Sequence, residues 1–92
     1  MTVQPTSLEA YTGLLYKLGD KQQQILNIIQ THPNMSDNDL LRYLRHIDPY
    51  SHWETSKITG RRNELHNMEL ILDNGEKIDR LTGQRVMKWI KA

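Results

Sequence analysis

The chain has 92 residues, 37% hydrophobic and 25% charged, with neither cysteine nor phenylalanine and a formal net charge of +1. That length suits one small domain with one core, and the missing cysteines exclude disulfide staples, thiolate metal sites and a cysteine nucleophile. The charge is unevenly spread: residues 1–56 carry a net of −2 and residues 57–92 a net of +3, so the cations gather in the second half.

Residues 1–7, with Pro5, Thr6 and Ser7, read as a lead-in. Ser7 is placed to cap a short helix reaching Tyr16 or Leu18, in which Leu8, Tyr11, Leu14, Leu15 and Leu18 recur at helical spacing. This extension, residues 1–18, reads either as a helix lying across the core or as a dimerisation helix that would make the protein a homodimer. Gly19 ends it.

Asp20 is a plausible cap for the next helix, whose dense apolar face holds Ile25, Leu26, Ile28 and Ile29 and which His32-Pro33-Asn34 stops. Ser36 opens an S-x-x-D capping box, and Leu40, Leu41, Leu44 and Ile47 follow at three- and four-residue steps, which predicts a helix from Asp37 to about Ile47. Residues 48–53 break the pattern. Tyr50 and Trp53 in that loop read either as satellite core or as an exposed contact for a protein partner.

The segment TSKITGRRNELHNM, Thr55 to Met68, predicts another helix starting between Thr55 and Thr59. Ile58, Leu65 and Met68 form its core stripe, and Lys57, Thr59, Arg61, Arg62 and Asn63 are expected to face outward. Glu64, in mid-helix, is expected to fix an arginine or the neighbouring backbone. Leu70 to Leu72 predicts a short strand, Asn74-Gly75 signals a turn, and Val86 to Ile90 alternates as a returning strand with Trp89 packed on the helices. A polar loop, Glu76 to Arg85, lies between them.

The expected fold class is therefore α+β, mainly α with a small β-hairpin. Such a body can present one helix and one loop to a duplex, since a helix fits the major groove and a loop can reach a neighbouring phosphate. Ser56, Lys57, Thr59, Arg61 and Arg62 offer phosphate or guanine contacts, Asn63 suits adenine, and His66 completes the helical set. On the hairpin, Lys77, Arg80, Gln84 and Arg85 fill the second role, diluted by Asp73, Glu76 and Asp79. Taken alone, the basic helix reads equally as a solvated face whose arginines pair with Glu64 or Glu69.

LGDKQQQILNIIQ, MSDNDLLRYL, ITGRRNELHNMELI and LTGQRVMKWI together resemble, in that order, the winged helix-turn-helix pattern of small phage and bacterial proteins. The match is clearest at Leu18, Gly19 and Gln22, at Ile58, Thr59, Arg61, Arg62, Glu64 and Leu65, and at Thr82, Gly83, Arg85 and Trp89. The resemblance implies a winged-helix domain over residues 19–92 with three core helices, an N-terminal helical extension and a two-stranded wing. It further implies double-stranded DNA as the partner, a recognition helix at 56–67 and a wing at 76–85, in a transcription regulator or an accessory of DNA replication or recombination. Gly60 stands where that pattern has a first-turn proline, which calls for an earlier helix start or a frayed first turn, and the connection His46 to Glu54 is longer than the usual tight turn.

The other class of function open to such a module is protein docking. The four histidines, at 32, 46, 52 and 66, lack metal-ligand spacing, and no nucleophile, paired-carboxylate or phosphate-loop signature is present, so neither enzyme activity nor a cofactor is expected. No apolar run reaches membrane-spanning length, which leads to an expectation of the cytoplasm of a bacterial or phage-infected cell.

Overall fold

The computed structural model describes residues 18–92. The predicted N-terminal helix and its dimerisation role lie outside the described residues, apart from Leu18, which packs against the core. The order of elements is α1 (Asp20–Thr31), α2 (Asp37–Ile47), α3 (Thr55–Asn67), β1 (Ile71–Ile78) and β2 (Arg85–Lys91): three helices and a two-stranded antiparallel hairpin in a compact α+β body.

The apolar face of α1 closes over Ile25, Leu26, Ile28 and Ile29, all buried. Its cap is Gly19 rather than Asp20, which is the first helical residue. The Gly19 amide donates to Gln22 Oε1 at 3.0 Å, so a side chain one turn ahead satisfies this amide. Beyond the helix, Asn34 takes a left-handed φ of 70° and turns the chain back toward the hairpin.

Met35 then makes a bridge that local periodicity does not announce. The Trp89 amide donates to Met35 O at 3.0 Å and the Asn34 amide to Trp89 O at 2.8 Å, which ties the start of α2 to β2. Ser36 caps α2 as its sequence promised: its Oγ accepts from the Asp39 amide and its own amide donates to Asp39 Oδ2, both at 3.1 Å. Leu40 and Leu44 are buried, whereas Ile47, at the end of the expected ladder, is largely exposed. The long connection to α3 splits the two aromatics left open by the sequence, with Trp53 only 2% exposed and Tyr50 87% exposed.

Helix α3 begins at Thr55, earlier than the first-turn alignment with Gly60 would place it, so Gly60 lies in its second turn. Ile58 and Leu65 are buried and Met68 packs half-buried beside them. Glu69, with a left-handed φ of 61°, and the Leu70 amide bonded to Leu65 O at 3.0 Å close the helix and start β1.

The hairpin corrects two sequence expectations. Asn74-Gly75 is a β-bulge inside β1, where the register shifts between Asp73 and Glu76, and not the turn. Gly75 takes φ 87° and its amide donates to Asp73 Oδ1 at 2.7 Å. The tip is shorter than Glu76 to Arg85: Glu76, Lys77 and Ile78 belong to β1, Arg85 begins β2, and the chain reverses between Asp79 and Gln84. Trp89 is buried against the helices, as its place in the alternation implied. None of the helices among the described residues is long and apolar enough to cross a membrane.

Candidate functional site

At about 100° per residue, the buried pair Ile58 and Leu65 fixes which side of α3 faces out. Opposite it runs a ridge of Ser56, Gly60, Asn63 and Asn67, all exposed and none charged. A Cβ added at Gly60 would meet nothing within 4 Å, so the centre of the ridge is open backbone. The arginines lie on the flanks, at the edge of the core. Arg61 and Arg62 are both half-buried, which corrects their expected outward orientation.

One flank is held by Asp37 from the first turn of α2. Arg62 grips this carboxylate with two bonds, Nε to Oδ1 at 2.8 Å and Nη2 to Oδ2 at 2.9 Å, while Thr59 Oγ1 donates to Oδ2 at 3.1 Å. The Arg62 guanidinium also sits 4.3 Å from the centroid of a Trp89 ring, and the His66 ring is 5.0 Å from that indole. The Arg62 side chain is 13% exposed and Asp37 22%, so this pair is largely shielded from solvent and fixes α3 to α2.

The other flank carries Lys57, Arg61 and Glu64. Arg61 Nη1 donates to both carboxylate oxygens of Glu64, at 3.0 and 3.2 Å, and Gln22 Nε2 reaches from α1 to Glu64 Oε1 at 2.8 Å. The Gln22 hydrogen bond and then the Arg61 bond hold the Glu64 carboxyl below its ordinary range. Glu64 therefore fixes an arginine, as its mid-helix place suggested. Among the described residues, Lys57 Nζ makes one hydrogen bond, to the His52 carbonyl at 3.4 Å.

The hairpin candidates divide in the same way. Lys77 forms an ion pair with Asp39, which also receives Arg42 at 3.0 Å, and Arg42 goes on to Asp79. Burial works against ionisation of Asp39, but the bonds from Lys77, the Ser36 amide and Arg42 outweigh it and leave the carboxyl below its usual range. Asp79, counted in the sequence as a charge that dilutes a basic tip, is instead the anchor of that tip. Its side chain is fully enclosed, it accepts from the Thr82 amide and Thr82 Oγ1, both at 2.9 Å, and its backbone closes the turn with Gln84 and Gly83. The Arg42 bond first, and the Thr82 amide second, hold this carboxyl far below the usual carboxylate range.

What projects from the tip is Arg80, Leu81, Thr82 and Gln84, with Arg85 loosely paired to Glu76 at 3.8 Å and mostly exposed. Six of the eleven sequence-predicted residues fall into two groups, while Ser56 and Asn63 lie on the ridge, Lys57 and Arg61 on the other flank of α3, and Lys77 against Asp39. Thr59, Arg62 and His66 gather around Asp37 and Trp89, whereas Arg80, Gln84 and Arg85 stand on a hairpin tip whose polar ties run to α2. The partners that organise both groups, Asp37, Asp39, Arg42 and Asp79, carried no site signal in sequence beyond the acidic first turn that any capped helix favours.

Comparison of the chain with protein-family models, with curated proteins and with solved structures gives no match.

Proposed function

We propose that this protein binds duplex DNA as a small winged-helix module, with α3 as recognition helix, the hairpin tip as wing, and a role as regulator or as accessory in replication or recombination. The observation that carries the reading is the ridge Ser56, Gly60, Asn63 and Asn67, which offers hydrogen-bonding groups and bare backbone on an exposed helix face of major-groove dimensions. The second support is a wing tip stiffened from inside by Asp79, so that Arg80 and Arg85 stand on a defined support. In this reading Arg62, Thr59 and Lys77 act within the protein by setting the pose of α3 and the wing. Arg61 is free to exchange Glu64 for a phosphate.

The test is a pair of double variants in duplex-binding assays across salt concentrations. Asn63→Ala with Asn67→Ala should relax base preference by about 1–3 kcal/mol per lost bidentate contact. Arg80→Ala with Arg85→Ala should lower the salt slope by about 2 without changing preference. Parental affinity, preference and slope in both variants would remove the reading.

Protein docking is the second reading, and the near-complete exposure of Tyr50, together with Leu81 at 73%, favours it. Backbone amide shifts decide between them: duplex DNA should move Ser56 to Asn67, and a docked protein should move the Tyr50 loop.

A further inference from the structure

Three cations from three helices converge on the connection between α2 and α3. Lys21 of α1 places Nζ 4.6 Å from the centroid of a Trp53 ring, Arg45 of α2 donates from Nε to the Trp53 carbonyl at 3.3 Å, and Lys57 of α3 reaches the His52 carbonyl at 3.4 Å. Arg42, Arg61, Arg62, Lys77 and Arg85 all have a carboxylate within 4.0 Å, but Lys21, Arg45 and Lys57 have none among the described residues. Among the described residues their positive charge is therefore uncompensated; Arg45 and Lys57 are held by neutral carbonyls, and Lys21 lies over the Trp53 ring.

Two independent features of the same spot look for an acceptor. Trp53 is 2% exposed and forms a wall of the open cleft shared with Arg45, Pro49, His52 and Glu54, yet its indole Nε1–H is enclosed with no hydrogen-bond partner among the described residues. The first turn of α3 starts from Glu54 with no side-chain cap and contains no acidic residue, so its leading amides and the positive end of the helix dipole are unmatched. Among the described residues lining the cleft, Glu54 is the one carboxylate and Arg45 the one cation, while Lys21 and Lys57 each contact a lining residue, Trp53 and His52.

We infer that this cleft is a phosphate seat, and that its ligand is a backbone phosphate of the DNA duplex. This rests on the duplex-binding reading and adds to it a contact outside the predicted recognition helix and wing. Thirteen residues of α3 span about 20 Å, more than the roughly 12 Å width of the major groove. A helix laid across the groove therefore brings its N-terminal end against one backbone strand. There Lys21, Arg45 and Lys57 supply charge and the first-turn amides donate, beside the enclosed Trp53 indole.

The test compares the full chain with the triple variant Lys21→Gln, Arg45→Gln, Lys57→Gln, and with Lys91→Gln as a charge-loss control far from the cleft. Binding of a short random-sequence duplex is measured against salt, and thermal unfolding checks that the triple variant is folded. Three lost phosphate contacts should reduce the slope of log affinity against log salt by between about 2 and 3, and Lys91→Gln should leave it close to the parent. A measurement on the parent needs no substitution: the indole N–H resonance of Trp53 should shift on adding duplex and stay in place with a duplex whose backbone is neutral methylphosphonate. A folded triple variant with the parental slope, or a Trp53 indole unmoved by bound duplex, overturns the seat and leaves the duplex-binding reading standing. A parent that binds no duplex overturns both.

Discussion

Gly60→Ala separates what stabilises α3 from what the exposed ridge is for. Gly60 sits in the second turn of a 13-residue helix with no left-handed φ, and an added Cβ meets no atom within 4 Å. The substitution therefore carries no steric penalty, and it removes the conformational freedom that a glycine gives the unfolded chain. Interior glycine is less favourable than alanine by about 0.8–1.0 kcal/mol, and with no offsetting clash that is the whole expected gain. For a domain of this size such a gain raises Tm by about 4–8 °C, readable by circular dichroism, with a parallel rise in the urea midpoint. On the proposed function the same methyl group stands at the centre of the contact ridge, so duplex affinity should fall while stability rises. A variant no more stable than the parent would refute the assignment of Gly60 to an open helix interior. A stabilised variant that binds duplex as tightly as the parent would refute the ridge as the contact surface.

Arg62→Met should lower stability by about 1.5–3 kcal/mol, the range for hydrogen bonds to charged groups, and a cycle with Asp37→Asn should return a coupling of at least about 0.5 kcal/mol because the two side chains share their bonds. Denaturant unfolding of the four species measures it. Ser36→Ala should cost about 0.5–2 kcal/mol through the lost cap of α2, and because Asp39 then loses its place in the capping box, Lys77 should become more mobile by side-chain NMR relaxation. Acid should act through three carboxylates. Asp79, Asp39 and Glu64 all have folded-state carboxyls held below their ordinary range, so the stability they contribute is complete above the unfolded pKa of about 4 and is lost as pH falls through and below it. Stability measured between neutral and strongly acidic pH should therefore drop more steeply in the parent than in Asp79→Asn, and a parallel pH profile in the two would refute the enclosed Arg42–Asp79 link.

The elements were legible where one local signal dominates. Ile25, Leu26, Ile28 and Ile29 make an apolar face too dense for anything but a core helix, Ser36 and Asp39 mark the start of α2, and the alternation around Trp89 gives a strand. Asn74-Gly75 misled because the same backbone freedom serves a turn or a bulge, and the choice is made by the pairing of Asp73 with Trp89 and Glu76 with Met87, which no local window contains. The Met35–Trp89 bridge was hidden for the same reason. Within the site, the helical wheel found the buried stripe of α3 but not the fate of its arginines, since Asp37 lies 25 residues from Arg62 in sequence. Tyr50 and Trp53, three positions apart in an irregular loop, have no periodicity to assign one to the core and the other to solvent.

The charges explain why net charge was a poor guide to the candidate surface. A net of +1 conceals a division of labour. Asp37, Asp39 and Asp79 bind Arg62, Lys77 and Arg42 across the fold, so these cations contribute rigidity and little field, whereas the more open Arg61–Glu64 pair lies on the flank of α3. Lys21, Arg45 and Lys57 remain at the head of α3, Arg80 remains at the hairpin tip, and an uncharged ridge lies along the helix. On the proposed reading, this arrangement assigns attraction to the two ends and discrimination to the middle, because only a neutral ridge can be scored by hydrogen-bond fit rather than by proximity to any phosphate. The consequence is a shallow salt dependence, set by the cations left at these two ends rather than by all twelve basic residues.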